Sequence, residues 1–237
     1  MSAFKFMSLL KYYQKLDDAV AYLLSSTINE KKLLNQFFKN KEITFVDIGT
    51  NMGNYLSFIQ KNFKIKNAYC FEPIIELCES LQKKHGDSIK IFNCALSNNK
   101  KKRKFYIYEI LSQSSFYKQK ETYSSLQKIK KTINIESKIF DKIFNKNLKI
   151  DFCKIDAEGE DFQILKGMSK NLKKGNIKLL KVEIGFPGHK NVPNSYLDIL
   201  NYLNKFNYQL FSISKIKYKN NSILFLDAFF KKTFNHK

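Results

Sequence analysis

The stretch ITFVDIGTNMG, residues 43–53, decides the fold. Its first half is rich in β-branched and aromatic residues, which predicts a short buried strand. The strand runs into a turn that contains Gly49 and Gly53, and a helical pattern follows at about 54–63. In doubly wound α/β folds, ligands bind where such strands end. We therefore expect a ligand at this turn, and the alternative is a tight turn without one.

The rest of the chain alternates between strand and helix patterns, which predicts an α/β fold with a mostly parallel sheet and helices on both faces. Further strands are predicted at 68–71, 89–93, 104–108, 149–155, 177–184, 208–214 and 222–227, and helices at 74–85, 160–173 and 194–205. Residues 110–132 are polar and predict a long loop or lid. Amphipathic patterns at 4–24 and 28–39 predict an N-terminal helical cap over residues 1–40, ahead of one domain at 41–237.

The composition is that of a globular protein and excludes a disordered chain. Hydrophobic residues make up 43% of the 237 residues and charged residues 27%. Apolar stretches are too short for a transmembrane segment, and the first residues lack a secretory signal pattern, so we expect a cytoplasmic location. The four cysteines lack metal or redox spacing and are predicted to be reduced core residues: Cys70, Cys78, Cys94 and Cys153.

The formal net charge is +21, and all but one of the 42 basic residues are lysine. A solvated lysine surface explains this most simply; the alternative is an anionic partner such as nucleic acid, an anionic glycan or a membrane surface. Arginine is preferred for bidentate recognition of phosphates and bases, and Arg103 is the sole arginine, so no specific nucleic acid is expected. The densest basic run, KKKRK at 100–104, fits a charged turn between two strands.

An acidic residue follows the glycine turn at an informative distance. Glu72 ends the second predicted strand, 23 positions after Gly49. An acid about 20 residues past such a turn can accept hydrogen bonds from both ribose hydroxyls; the alternative is a surface Glu before Pro73. The glycine spacing differs from that of dinucleotide-binding turns. With Asp47 just before the turn, the pattern fits the positively charged amino-acid moiety of S-adenosylmethionine.

Five segments in order resemble the FkbM family of S-adenosylmethionine-dependent methyltransferases: FVDIGTNMGNYLSF, FEP, NCALSN, IDFCKIDAEGEDFQILKGM and KVEI. The resemblance covers about residues 43–226, and the K-I-D-x-E-G segment at 154–159 is its most specific mark. It implies a class I methyltransferase fold, a Rossmann-like, mostly parallel seven-stranded sheet with an antiparallel strand near the C-terminus. It also implies S-adenosylmethionine as cofactor and O-methylation of a sugar, glycan or other small-molecule acceptor.

The resemblance also implies which residues bind the cofactor. From the methionine end, through the ribose, to the adenine they are Asp47, Gly49, Asn51, Gly53, Glu72, Asn93 and Ala95. Ser114 and Ser115 resemble a Ser-Ser pair of the family's central loop, without an assigned role. Ile139-Phe140-Asp141 stands where the family often has Thr-Leu-Asp, which is a departure from its pattern.

Methyl transfer from a sulfonium is an in-line displacement that needs an aligned acceptor and removal of the hydroxyl proton. Asp156, at a strand end facing the expected methyl group, is a candidate base or acceptor-orienting residue. Glu158 is a second candidate or caps the next helix, and a structural role for both is the alternative. Glu183 would face the same site. His189, in the loop after it, is a candidate base or a surface residue. Histidines and acids show no convincing metal-ligand spacing, so no metal is predicted; the alternative is a carboxylate-only Mg²⁺ site formed by Asp156 and Glu183.

The sequence thus favours an O-methyltransferase and leaves two alternatives. A nucleic-acid methyltransferase is favoured by the charge, but not by the single arginine. A non-catalytic interaction protein on the same fold is the other, although the glycine turn and Glu72 together form an intact cofactor pattern.

Overall fold

The computed structural model describes residues 30–118, 128–144, 148–186, 195–219 and 221–233. The chain divides into two compact units, Met1–Lys39 and Asn40–Lys237. In the first unit, residues 30–38 form helix α1. The predicted helix at 4–24 lies outside the described residues. The site is built in the second unit.

The second unit alternates strands and helices from its start. In chain order its elements are β1 Glu42–Ile48, α2 Asn54–Asn62, β2 Lys64–Glu72, α3 Ile75–His85, β3 Lys90–Asn93, β4 Leu96–Ser97, β5 Lys102–Tyr108, β6 Ile129–Glu136, β7 Lys138–Ile139, α4 Phe140–Ile143, β8 Ile150–Ile155, α5 Asp161–Gly167, α6 Ser169–Lys173, β9 Ile177–Gly185, α7 Tyr196–Asn204, β10 Tyr208–Lys219 and β11 Ser222–Lys232.

Seven of these strands form the main sheet, in the order β10-β11-β9-β8-β1-β2-β3. Strands β3, β2, β1, β8 and β9 pair in parallel, and β11 is antiparallel to both β9 and β10. This confirms the predicted class I arrangement. The strand order reverses between β1 and β8, which is the place where open α/β sheets bind ligands.

The two faces of the sheet differ in chemistry, because successive side chains of a strand point to opposite faces. On one face Val46, Ile155 and Val182 belong to the main hydrophobic core. On the other face, aromatic residues such as Phe45 lie nearer the amino ends of the strands, and charged residues such as Asp47 and Lys154 lie nearer the carboxyl ends. The register there aligns Asp47 with Lys154, so a buried charged layer lies under the predicted site.

Two element predictions are wrong. Residues 119–127 of the predicted loop at 110–132 lie outside the described residues. Its end is a strand from Ile129, because β6 pairs antiparallel with β5 and alternates apolar and polar side chains within a lysine-rich stretch. The basic run at 100–104 accordingly enters β5 instead of forming a turn only. The helix predicted at 160–173 is broken after Gly167, where the Asp141 carboxylate accepts the N–H groups of Lys170 and Asn171 and starts α6.

All four cysteines are buried and unbridged, which confirms their prediction as reduced core residues. Within the described ranges, no helix has the length and apolar character needed to cross a bilayer.

Candidate active site

The turn after β1 lies against the end of β8. Gly49 has a φ of 74°, and its N–H donates to the Phe71 carbonyl at 3.0 Å, which ties the turn to β2. A Cβ at position 49 would lie 2.0 Å from the carbonyl oxygen of Asp156. Only glycine fits this backbone conformation and this close approach.

The start of α2 continues the turn and leaves polar groups for a ligand. Gly53, with a φ of 74°, is the N-cap of α2 and provides no side-chain acceptor for the first N–H groups of the helix. Asn51 has a φ of 52°, and its Oδ1 is buried without a hydrogen-bond partner in the described part of the chain. A buried acceptor of this kind fits a ligand that donates a hydrogen bond at the turn.

The Glu72 carboxylate lies beside the turn at the end of β2. One oxygen accepts the Asn51 N–H at 2.8 Å and the other accepts the Ile74 N–H at 2.9 Å. Two carboxylate oxygens offer about four acceptor sites, so capacity remains for a diol. Burial raises the pKa of Glu72 to about 7, although the two backbone N–H groups favour its charged form.

The residues predicted beside the adenine flank this carboxylate. The Asn93 side-chain amide donates to the carbonyls of Glu72 and Pro73, both at 3.1 Å, and thereby fixes the turn after β2. Ala95 is buried, and its carbonyl accepts the Lys138 N–H at 2.8 Å. Asn93 is the last residue of β3 and Ala95 follows the strand, at the same edge of the sheet as Glu72.

Lys154 joins the two halves of the site. Its Nζ donates to the Gly49 carbonyl at 2.8 Å and lies 3.2 Å from Asp47 Oδ1 and 3.5 Å from Asp156 Oδ2. Burial alone would lower the pKa of Lys154, but the two carboxylates raise it overall, so the ammonium stays charged. Asp47, predicted at the methionine end of the cofactor, is fully buried and reaches the turn through Lys154.

A second buried carboxylate shapes the D-A-E-G loop after β8. Asp161 accepts the N–H groups of Ala157 at 2.9 Å and Gly159 at 3.0 Å. Between them, Glu158 has a φ of 54°, which is unusual for a residue with a side chain. The Ser115 hydroxyl donates to the Glu158 carbonyl at 2.6 Å, which gives one member of the Ser-Ser pair a role in holding this loop.

Three of the predicted catalytic residues meet at this loop. Asp156, Glu158 and Glu183 each place a carboxylate oxygen within 4.8 Å of the others, a spacing that would also suit a metal ion. Burial, followed by the charges of Asp156, Asp161 and other acids, raises the pKa of Glu183 well above its usual value. The fourth predicted residue, His189, lies outside the described residues.

The stability of the protein is expected to depend on the proton of Asp161. Burial raises the pKa of Asp161 from 3.8 to about 7. The folded protein then binds this proton more tightly than the unfolded chain does, so this group's contribution to stability is lost as the pH rises from about 4 to about 7. In Asp161→Asn the titration is absent. Urea unfolding at several pH values measures the free energy of unfolding of both proteins. The value for wild type minus the value for the variant should fall by up to about 4 kcal/mol as the pH rises from about 4 to about 7. A constant difference would contradict the raised pKa.

The residues present fit S-adenosylmethionine. Three features converge at the switch point between β1 and β8: a glycine cradle, the buried amide oxygen of Asn51, which has no hydrogen-bond partner among the described residues, and the Glu72 carboxylate with its remaining acceptor capacity. The fold and this site define a class I S-adenosylmethionine-dependent methyltransferase. Residues 47–210 match the family model described as the methyltransferase FkbM domain, and the chain belongs to this family.

Solved structures agree with the fold. An S-adenosylmethionine-dependent methyltransferase from Clostridium acetobutylicum is similar with a TM-score of 0.52 and 12% identity, over 94% of this chain and 98% of that one. The 1,6-didemethyltoxoflavin-N1-methyltransferase of Burkholderia thailandensis is similar with a TM-score of 0.50 and 7% identity, over 99% of this chain and 92% of that one. No curated protein matches the sequence significantly.

Proposed function

We propose that this protein transfers the methyl group of S-adenosylmethionine to a hydroxyl oxygen of a sugar, glycan or other small-molecule acceptor. The observation that carries the proposal is the cluster of Asp156, Glu158 and Glu183, whose oxygens lie within 4.8 Å of one another. A hydroxyl must lose its proton on methylation, and a carboxylate with a raised pKa is suited to accept it. Glu183 has such a raised pKa.

The cofactor would lie across the turn after β1. Glu72 would accept hydrogen bonds from the ribose hydroxyls, and Asn51 would accept one through its buried Oδ1. Gly49 and Gly53 would allow the backbone to approach the methionine end. Lys154 and Asp47 are positioning residues here, because they hold the Gly49 carbonyl from below the turn.

The acceptor would lie over the D-A-E-G loop. S-adenosylmethionine supplies the methyl group, and the new carbon–oxygen bond forms as the carbon–sulfur bond breaks and leaves its electron pair on sulfur. Asp156, whose side chain is 37% exposed, would orient the acceptor hydroxyl. The proton of that hydroxyl would pass to the cluster of Asp156, Glu158 and Glu183, in which Glu183 is the buried residue. Because these groups interact closely, they are expected to titrate as a unit.

Cofactor binding tests the first half of this proposal. Calorimetric titration with S-adenosylmethionine should show Glu72→Gln binding roughly 10- to 100-fold more weakly than wild type, because hydrogen bonds to a charged group are lost. Glu76→Gln, an exposed change in the first turn of α3, is the matched control and should bind like wild type. Failure of folded wild type to bind would refute the cofactor site.

Methyl transfer tests the second half. Wild type is incubated with methyl-labelled S-adenosylmethionine and a panel of free and nucleotide-linked sugars, and the products are analysed by mass spectrometry. Asp156→Asn should bind the cofactor normally but transfer about 100-fold more slowly or worse, whereas the exposed Asp87→Asn should be unaffected. Label found on nitrogen, or no transfer to any hydroxyl, would contradict the proposal.

A further inference from the structure

Two segments of the chain carry most of its net positive charge. Residues 98–138 contain 11 basic residues against 3 acidic ones, a net charge of +8 out of +21, and residues 205–237 contain 7 against 1, a net charge of +6. The charge is therefore uneven along the chain, and residues 98–138 carry the larger share. The core of residues 98–138 is the hairpin of β5 and β6.

The hairpin has an apolar inner face and a basic outer side. Phe105 and Ile107 pack with Ile74 and Leu77, which anchors the hairpin on the first turns of α3. The outer face of β5 alternates with these residues and carries Lys102, Lys104 and Tyr106. Both lysines are exposed, as is Lys130 on β6. The packing therefore leaves the charged side of the hairpin open to solvent.

The one arginine of this segment is used inside the fold. Arg103 forms an ion pair with Glu160, a residue with 2% exposure, and its guanidinium lies 3.9 Å from the centre of the Phe116 ring. Besides Glu136, which is the cross-strand partner of Lys102, the charged residues of the outer face are lysines. Lysines act as point charges without the bidentate geometry used to read bases or bind single phosphates. The described residues of this face also lack the series of exposed aromatic rings on which nucleic-acid bases stack.

The hairpin is joined directly to the candidate active site. The Ser115 backbone pairs with Tyr106 of β5, and the Ser115 hydroxyl donates to the Glu158 carbonyl. The Arg103–Glu160 ion pair makes a second connection to the same loop. These two connections attach the hairpin, which carries the outer face, to the loop that holds the clustered carboxylates. Since those carboxylates repel anions, the negative groups of a ligand and its reacting hydroxyl would occupy different places.

We infer that the outer side of the β5–β6 hairpin binds the anionic part of the acceptor, and that the acceptor is an anionic glycan bearing carboxylate, sulfate or phosphate groups. The inference rests on the proposed function, because it names the acceptor class for the same site. Lys102, Lys104 and Lys130 would hold the negative groups, and an uncharged hydroxyl on the same chain would reach Asp156. The half-buried Tyr106 ring would offer a surface on which a sugar ring can pack.

Binding of a heparin-derived oligosaccharide tests this inference without cofactor or turnover. Calorimetry compares wild type with Lys102→Gln/Lys104→Gln/Lys130→Gln and with the control Lys173→Gln/Lys174→Gln/Lys205→Gln. The control removes the same charge from exposed positions just before β9 and β10, at the amino ends of these strands, whereas the candidate site lies at the carboxyl ends. The hairpin variant should bind roughly tenfold more weakly, and the control should lose less than about twofold. A neutral maltooligosaccharide of equal length should not bind.

Three results would overturn the inference. Equal loss in both triple variants would show that binding follows overall charge. Tighter binding of a single-stranded oligonucleotide of equal charge, at the same salt concentration, would point to nucleic acid. Absence of heparin binding to wild type would remove the anionic site. The Asp156→Asn variant separates this inference from the proposed function, because it should retain heparin binding even where methyl transfer fails.

Discussion

Replacing Lys154 by methionine is expected to lower the free energy of unfolding by about 3–5 kcal/mol. Lys154 is 5% exposed and lies between two carboxylates, one of which, Asp47, is completely buried. The substitution leaves the Asp47 charge in the protein interior without the ammonium 3.2 Å away. It also removes the donor to the Gly49 carbonyl, so S-adenosylmethionine binding should weaken as well. Urea unfolding with a two-state fit measures the loss.

Two further variants test whether the buried charge is the cause. Lys178→Met breaks the ion pair with Asp151, in which the lysine side chain is 62% exposed, and should cost no more than about 1 kcal/mol. The double variant Asp47→Asn/Lys154→Met removes both buried charges and should recover part of the stability lost in Lys154→Met. Equal costs for Lys154→Met and Lys178→Met would contradict the role given to the buried pair.

Gly49→Ala should be the most damaging small substitution in the turn. The left-handed conformation alone costs about 1–2 kcal/mol for a residue with a Cβ. The added Cβ would also lie 2.0 Å from the Asp156 carbonyl oxygen, so the turn and the end of β8 must separate. We expect a loss of unfolding free energy of about 3 kcal/mol or more, together with loss of measurable S-adenosylmethionine binding by calorimetry.

Gly86→Ala is the control for a positive φ without a steric contact. Gly86 has a φ of 56° and a ψ of −141°, a conformation that strongly favours glycine, but a Cβ there would meet no atom within 4 Å. This variant should lose stability from backbone strain and keep its cofactor affinity. Loss of cofactor binding in Gly49→Ala but not in Gly86→Ala is expected from the contact of the turn with β8, and equal binding by the two variants would refute that role.

The local sequence pattern was enough to predict the sheet and the class of cofactor. The run ending at Ile48, the glycine turn and Glu72 follow one another along the chain, and their spacing is a property of one strand–turn–helix–strand unit. The family match over residues 47–210 and the seven-stranded sheet confirm both predictions. The prediction was wrong for β6. Its isoleucines alternate as in a β-strand, but they stand in a lysine-rich stretch that reads as a polar loop.

The groups that hold the site together were decided by the tertiary structure. Lys154 contacts Gly49 across 105 positions of sequence, and Ser115 contacts Glu158 across 43. Such contacts depend on which strands become neighbours and in what register, and no local spacing encodes that. Asp161 is a related case, because its neighbours in sequence become hydrogen-bond donors only once the loop folds back on it. The sequence by itself thus determined the class of cofactor and the fold. The pairing of β1 with β8 decided how the turn and the carboxylates come together, and the contacts of Arg103 and Ser115 decided where the basic hairpin is attached.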